Sequence, residues 1–196
     1  MNYQVAPFWF YSGKVFLLVF FAVGLALLGI TALIFYGLLF GVFFPVIISM
    51  RLHRLKEKSL VAIPKEMSQW TVYVQGIPVQ ETRSSLTNPC FAIQEHLRTF
   101  FMRAFISKFI IQAIALLMLV VQMRQIYSVW LLSIGLLAAV WLIIKCVDTA
   151  KTLVEVMNQR WLLDEVQGKT GSVWYRAGFS RRGRSMTALE TLLKLT

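Results

Sequence analysis

Two cysteines, Cys90 and Cys146, are all that the chain carries, too few for a disulfide framework and too few for a structural zinc site unless both histidines join them. Free thiols are the expectation. Acidic residues are scarce too: 9 Asp and Glu stand against 20 Lys and Arg, a formal charge of +11. In a chain otherwise apolar, that imbalance points to anionic lipid before nucleic acid, and no specific nucleic-acid partner is expected. Between Val15 and Met50 there is no Asp, Glu, Lys, Arg or His at all. Neither histidine falls inside an apolar run, so a b-type haem held by two facing histidines is not expected. Nor does a carboxylate sit at membrane depth, where ion-coupled transport normally keeps one. No cofactor or metal is predicted.

What is present is hydrophobic. Apolar residues make up 58% of the 196 positions and the mean hydropathy is +0.66, well above the roughly 45 to 50% of soluble domains. That excess must face lipid. As one straight helix, Val15 to Met50 would be about 54 Å long, against a hydrocarbon core of about 30 Å. The run therefore reads as two spans, Gly13 to Gly29 and Ala32 to Met50, folded around Gly29, Ile30 and Thr31, with one long tilted helix as the alternative. It is too long for a signal-peptide core and lacks a small-residue cleavage site. Phe8, Trp9, Phe10 and Tyr11 ahead of it suit the headgroup layer. A second apolar block runs from Phe105 to Val121, breaks at Gln122, Met123, Arg124 and Gln125, and resumes from Ile126 to Ile144.

Lys and Arg flank these spans on one side only. Arg51, Arg54, Lys56 and Lys58 leave the first block, Arg98 and Arg103 enter the second, and Lys145 and Lys151 leave it, with Arg124 alone opposing them. The positive-inside rule then gives an all-α, multi-pass inner-membrane protein with four transmembrane helices as two hairpins and both termini cytoplasmic. The expected divisions are 1–50, an anchor and first hairpin; 51–88, a cytoplasmic linker or cap; 89–167, the second hairpin with a cytoplasmic extension; and 168–196, a basic tail.

The extension is inferred from periodicity. Leu136, Val140, Ile143, Val147, Ala150, Val154, Met157 and Trp161 recur at alternating spacings of four and three, the seam of a left-handed helix pair, with Gly168 as the stop. Asn88 as N-cap and Pro89 predict the start of the preceding helix, which would present Ile93, Leu97, Phe100 and Ala104 to that seam as an antiparallel partner. A turn centred between Met123 and Arg124 would bring Arg98 level with Asp148 and Glu95 level with Lys151, and leave Cys90 about 16 Å from Cys146. Residues 69–80 and 172–179 have strand character, and pairing of the two would make a small β cap. A short helix from Thr187 to Lys194 is expected, capped by Ser185 or by Thr187 with Glu190.

Motifs that carry chemistry are few. Arg181, Arg182 and Arg184 form the densest basic cluster, but no glycine-rich strand-to-helix loop accompanies them. Contact with anionic headgroups, shared with Arg51, Arg54, Lys56 and Lys58, is the favoured reading. Cys90 and His96 are six residues apart, on different faces of any common helix. Lys108 is the single charged residue inside an apolar run, one turn in, and Gln112 reads as an interhelical hydrogen bond. Gly37 and Gly41 form a GxxxG pair and Gly135 with Ala139 a small-residue pair, so packing within the bundle and homo-oligomer formation both remain open. The expectation is a non-enzymatic subunit or adaptor of a multiprotein membrane assembly of the secretion or conjugation type, docking other subunits through its cytoplasmic helices. An immunity or entry-exclusion protein and a membrane enzyme acting on lipid phosphate are the alternatives.

Overall fold

The computed structural model describes residues 13–63, 67–74, 77–84, 88–167, 172–181 and 184–193. The aromatic cluster at 8–11, Gly168 and Arg182 lie outside them. The architecture is mostly helical, with a small sheet at one end. Among the described residues three helical stretches are long and apolar enough to cross a membrane: Ala32–Glu57, Gln94–Met123 and Val129–Met157.

Helix α1 (Gly13–Leu27) ends where the sequence suggested a break. Gly29 takes φ of +98°, a conformation that glycine adopts without a Cβ penalty. The Gly29 and Ile30 amides then donate to the carbonyls of Ala26 and Leu25 at 3.0 and 2.9 Å, a Schellman stop. The 15 described residues of α1 cover about 22 Å.

The chain then forms one helical rod, α2 (Ala32–Leu38), a π-helical turn (Leu39–Phe43) and α3 (Phe44–Glu57). Pro45 explains the widened turn: it has no N–H to return to the Gly41 carbonyl, and its ring would crowd that carbonyl in a regular helix. Tyr36, Phe40, Phe44, Ile48 and Leu52 recur every four residues and are all buried. They form one stacked apolar edge, Phe40 lying between Tyr36 and Phe44 at ring separations of 5.6 and 5.3 Å.

Helices α4 (Gln94–Met123) and α5 (Val129–Met157) are joined by residues 124–128 and pack against each other. Their register differs from the sequence expectation. The Arg98 guanidinium donates to the Met157 carbonyl at 2.7 Å, and a Cβ on Gly135 would touch Met123 at 3.1 Å. Arg98 and Asp148 therefore make no ion pair, and neither do Glu95 and Lys151. The reason is the turn: Ile126, Tyr127 and Ser128 belong to the connection rather than to α5, which moves its centre beyond the polar residues used to place it.

The small β element expected beside the helices is present, with other pairings than the sequence suggested. Strands β1 (Val61–Ala62), β4 (Cys90–Phe91), β6 (Val173–Arg181) and β5 (Leu162–Gln167) lie side by side in that order, and β7 (Arg184–Thr187) pairs with β6. Strands β2 (Met67–Val74) and β3 (Ile77–Ser84) form a separate two-stranded sheet. The stretch at 69–80 thus folds back largely on itself, residues 69–74 pairing with 77–82, and does not pair with 172–179. Helix α5 stops at Met157, not at Gly168, because Gln159 closes it with φ of +55° and the Arg160 amide donates to Glu155 at 2.9 Å. The expected helix start at Asn88 and Pro89 is instead the approach to β4. Asn88 spends its amide on the Ala177 carbonyl of β6 at 2.8 Å, and α4 begins at Gln94 behind Ile93. The terminal helix α6 (Ala188–Leu193) is capped as expected, the Glu190 amide donating to Thr187 Oγ1 at 3.2 Å.

Candidate docking surface and its supports

An aromatic core fixes the sheet to α4. Phe100 and Phe101 on one turn of α4 and Phe105 on the next pack onto Phe91 of β4, Phe179 of β6 and Trp161. All six are buried. Trp161, expected as the last member of the heptad seam, is therefore a core residue beyond the helix end. Leu97, Phe100 and Ala104, expected against α5, are buried, and Phe100 packs on Phe91 rather than completing a heptad pair. Ile93 is exposed. Arg51 lays its guanidinium over the Phe100 ring at 5.8 Å, joining α3 to the same core.

Two cations of α4 reach backbone carbonyls of other helices. Arg98 satisfies the last carbonyl of α5, and Lys108, only 6% exposed, donates to the Leu192 and Thr191 carbonyls of α6 at 2.9 and 3.4 Å. Positive charge at a helix C-terminus is favoured by the dipole and by carbonyls that have no partner in the helix. Lys108 also lies over the Phe40 ring at 4.8 Å. One turn inside its apolar run, Lys108 is near enough to the edge to snorkel outward, but it turns into the protein instead and ties α6 to the apolar bundle.

Gln122, at the far end of α4, performs a similar service. Its carbonyl oxygen accepts from the Ala32 amide at 3.1 Å and its amide donates to Thr31 Oγ1 at 2.6 Å. The turn at Gly29 and the turn at 124–128 are thereby held level. Gln112, wholly buried, lies beside the Tyr36 hydroxyl of α2, although its amide makes no hydrogen bond of good geometry there. It is an interhelical contact, but the hydrogen bond that its position suggested is not formed.

The face of α5 that packs inside this chain consists of Gly135, Leu142, Thr149, Thr152 and Val156. Thr149 and Thr152 return their hydroxyls to the carbonyls four residues back, at 2.9 and 2.8 Å, so burial leaves neither unsatisfied. The heptad residues lie elsewhere. Leu136, Val140, Ile143, Val147, Val154 and Met157 are each about half exposed, and Ala150 is half-buried. At 100° per residue their stripe is centred roughly 140° from the buried face. The seam therefore does not mediate pairing with α4. The sequence identified a real stripe and assigned it the wrong neighbour, because spacing reports a face but not what faces it.

Of the glycine pair, Gly41 is buried while Gly37 is half-buried, with nothing within 4 Å of an added Cβ. Close approach of another helix at Gly37 is not built into this chain. Arg51, Arg54, Lys56 and Lys58 are all exposed at one end of α3, and Arg181 and Arg184 are cross-strand partners of β6 and β7.

Chemistry beyond packing is thinly provided. Among the described residues no group of three or more His, Cys, Asp or Glu side chains is placed to hold a metal ion. Both cysteines are free. Burial pushes the Cys90 thiol up, partly offset by the nearby Arg176 charge, so it stays protonated at neutral pH and is a poor nucleophile. A cleft of about 250 Å³ lies between the start of α4 and the end of α5, lined by Gln94, Glu95, Arg98, Gln159 and Trp161. The Arg98 Nε and Trp161 Nε1 atoms there are buried without partners. No family model, no curated protein and no solved structure matches this chain.

Proposed function

We propose that the protein is a non-enzymatic subunit or adaptor of a multiprotein assembly in the bacterial inner membrane, and that it docks other subunits through the part of α5 that leaves the bilayer. One observation carries this reading. The apolar stripe continues past Lys145, Asp148, Lys151 and Glu155, where the helix has returned to water, so Val147, Val154 and Met157 are apolar groups exposed without lipid to cover them. An exposed apolar stripe on a rigid helix is suited to helix-in-groove or helix-pair recognition.

Four spans with both termini cytoplasmic is the topology we favour. The bond from Gln122 to Thr31 and Ala32 supports it, since a chain that turns at Gly29 level with the 124–128 connection must send α1 back toward the sheet end. The excess of Lys and Arg at that end supports cytoplasmic placement of the sheet. There Arg51, Arg54, Lys56, Lys58 and the arginines at 181–184 would meet anionic headgroups, at about 1 kcal/mol per charge. A secretion or conjugation apparatus is the setting we favour, a proposal that rests on size and topology alone.

Purification in mild detergent, with mass spectrometry of what accompanies the chain, tests the docking reading. Stoichiometric membrane partners that are lost from Val154→Asp are expected. Partners retained in full by that variant would contradict it.

A further inference from the structure

We propose that the stripe on α5 is a self-association surface, on which α5 of a second copy of this chain lies parallel as a two-stranded coiled coil. This rests on the docking reading and narrows it to one partner.

Three properties of the stripe favour that occupant. First, the spacing places Val140, Val147 and Val154 at one core position of the heptad and Leu136, Ile143, Ala150 and Met157 at the other. A β-branched residue at each first-type position favours parallel, two-stranded pairing, in which such side chains pack alongside each other without bending away from the axis. Second, the bilayer imposes the same geometry. Copies inserted by one topology point the same way, so their α5 helices can meet only in parallel, about a two-fold axis along the membrane normal. Third, the flanking positions do not oppose it. They are Ala139, Cys146 and Leu153 on one side and Ile144, Lys151 and Asn158 on the other. In a parallel pair Lys151 comes opposite Cys146 of the second copy, so like charges do not meet across the seam. Asp148 and Glu155 stand further round the helix.

The area is adequate as well. Six side chains about half exposed on each copy offer about 1,000 Å² in total, at the threshold of a specific interface. Between Leu136 and Ile144 the alternative cover is lipid. Beyond Lys145 the alternative is water, and there Val147, Val154 and Met157 gain from a partner. The buried face of α5 remains against α4 throughout, so pairing requires no rearrangement of the fold.

Site-directed cross-linking in native membranes tests this. In the full chain carrying Cys90→Ser and Cys146→Ser, single cysteines are introduced as Val147→Cys, Val154→Cys or, off the stripe, Glu155→Cys, and are oxidised briefly with copper phenanthroline. A product of twice the chain's mass, at least tenfold more abundant at 147 and 154 than at 155, is expected. Equal yields at all three positions would overturn the proposal. In parallel, two differently tagged copies with both native cysteines intact are co-expressed and one is purified. The second tag is expected to accompany it and to fall by tenfold or more with Val154→Asp in both copies, at unchanged yield of solubilised protein. Absence of the second tag from the parent would overturn self-pairing. Adducts at 154 whose mass is that of another protein would also overturn it, while leaving the docking reading intact. The docking reading itself fails only if Val154→Asp keeps every companion.

Discussion

Lys108 occupies a position where an ammonium is costly, one turn inside an apolar run, and its cost is met by two backbone carbonyls and an aromatic face. Its partners explain why it points inward: the Thr191 and Leu192 carbonyls of α6 accept from it, and the Phe40 ring lies on the other side. Lys108→Met keeps the aliphatic stem and removes the charge. We expect it to cost about 1.5 to 3 kcal/mol, the range for hydrogen bonds to charged groups, and to free α6 selectively. Hydrogen exchange should then speed up at residues 188–193 while α4 and α5 stay protected; unchanged protection of α6 would contradict the assignment. Cys90 gives a prediction with a sign. Burial raises its thiol pKa in the folded state, so its contribution to stability is fully present below the ordinary thiol value of about 8.5 and is lost as pH rises through the folded value. The melting temperature of the parent should therefore fall relative to Cys90→Ala between about pH 8 and pH 10. A constant difference across that window would show that the thiol is not held protonated by the fold.

The helix ends show what an element owes to single positions. Three stops have the same Schellman bonding, at Gly29, Ser59 and Gln159, yet glycine occupies only the first. Ser59 and Gln159 hold φ of +56° and +55°, where a Cβ is crowded. Gln159→Gly should stabilise the protein by about 1 kcal/mol or less, read as a higher melting temperature in detergent; a lower one would mean that the Gln159 side chain contributes more than its backbone strain costs. The same residue explains why the end of α5 was illegible. Glycine and proline are the usual punctuation, and neither marks 158–161, so the apolar period was extended through Trp161 to Gly168. The break at Gly29 was legible because glycine stands there. The short helix at 188–193 was legible through the Thr187 cap. The pairing of β6 was not: Tyr175 meets Phe91, far away in sequence, as well as Glu165 of the adjacent strand, and β propensity names a strand without naming its neighbour. The helix register failed for a related reason, since Ile126, Tyr127 and Ser128 are too apolar on average to look like a turn.

At the scale of the whole molecule, length decides the arrangement. Helices α4 and α5 are about 45 Å long, roughly 15 Å more than a hydrocarbon core, and the sheet packs against the α4 end of that surplus. Tyr127 and Trp130 stand fully or nearly fully exposed beside the opposite turn, where interfacial aromatic rings are favoured. The three apolar stretches were legible from hydropathy, because lipid accepts no alternative to a satisfied helix. The candidate surface was half legible: its residues could be read from spacing, but its exposure only from the fold.

Impermeant thiol labelling in intact cells tests this arrangement most directly. With the native cysteines replaced, a cysteine introduced as Gln125→Cys should react, and cysteines introduced as Asn2→Cys and Thr196→Cys should remain unlabelled until the membrane is permeabilised. Labelling at Thr196 with protection at Gln125 would invert the protein in its membrane and contradict the account.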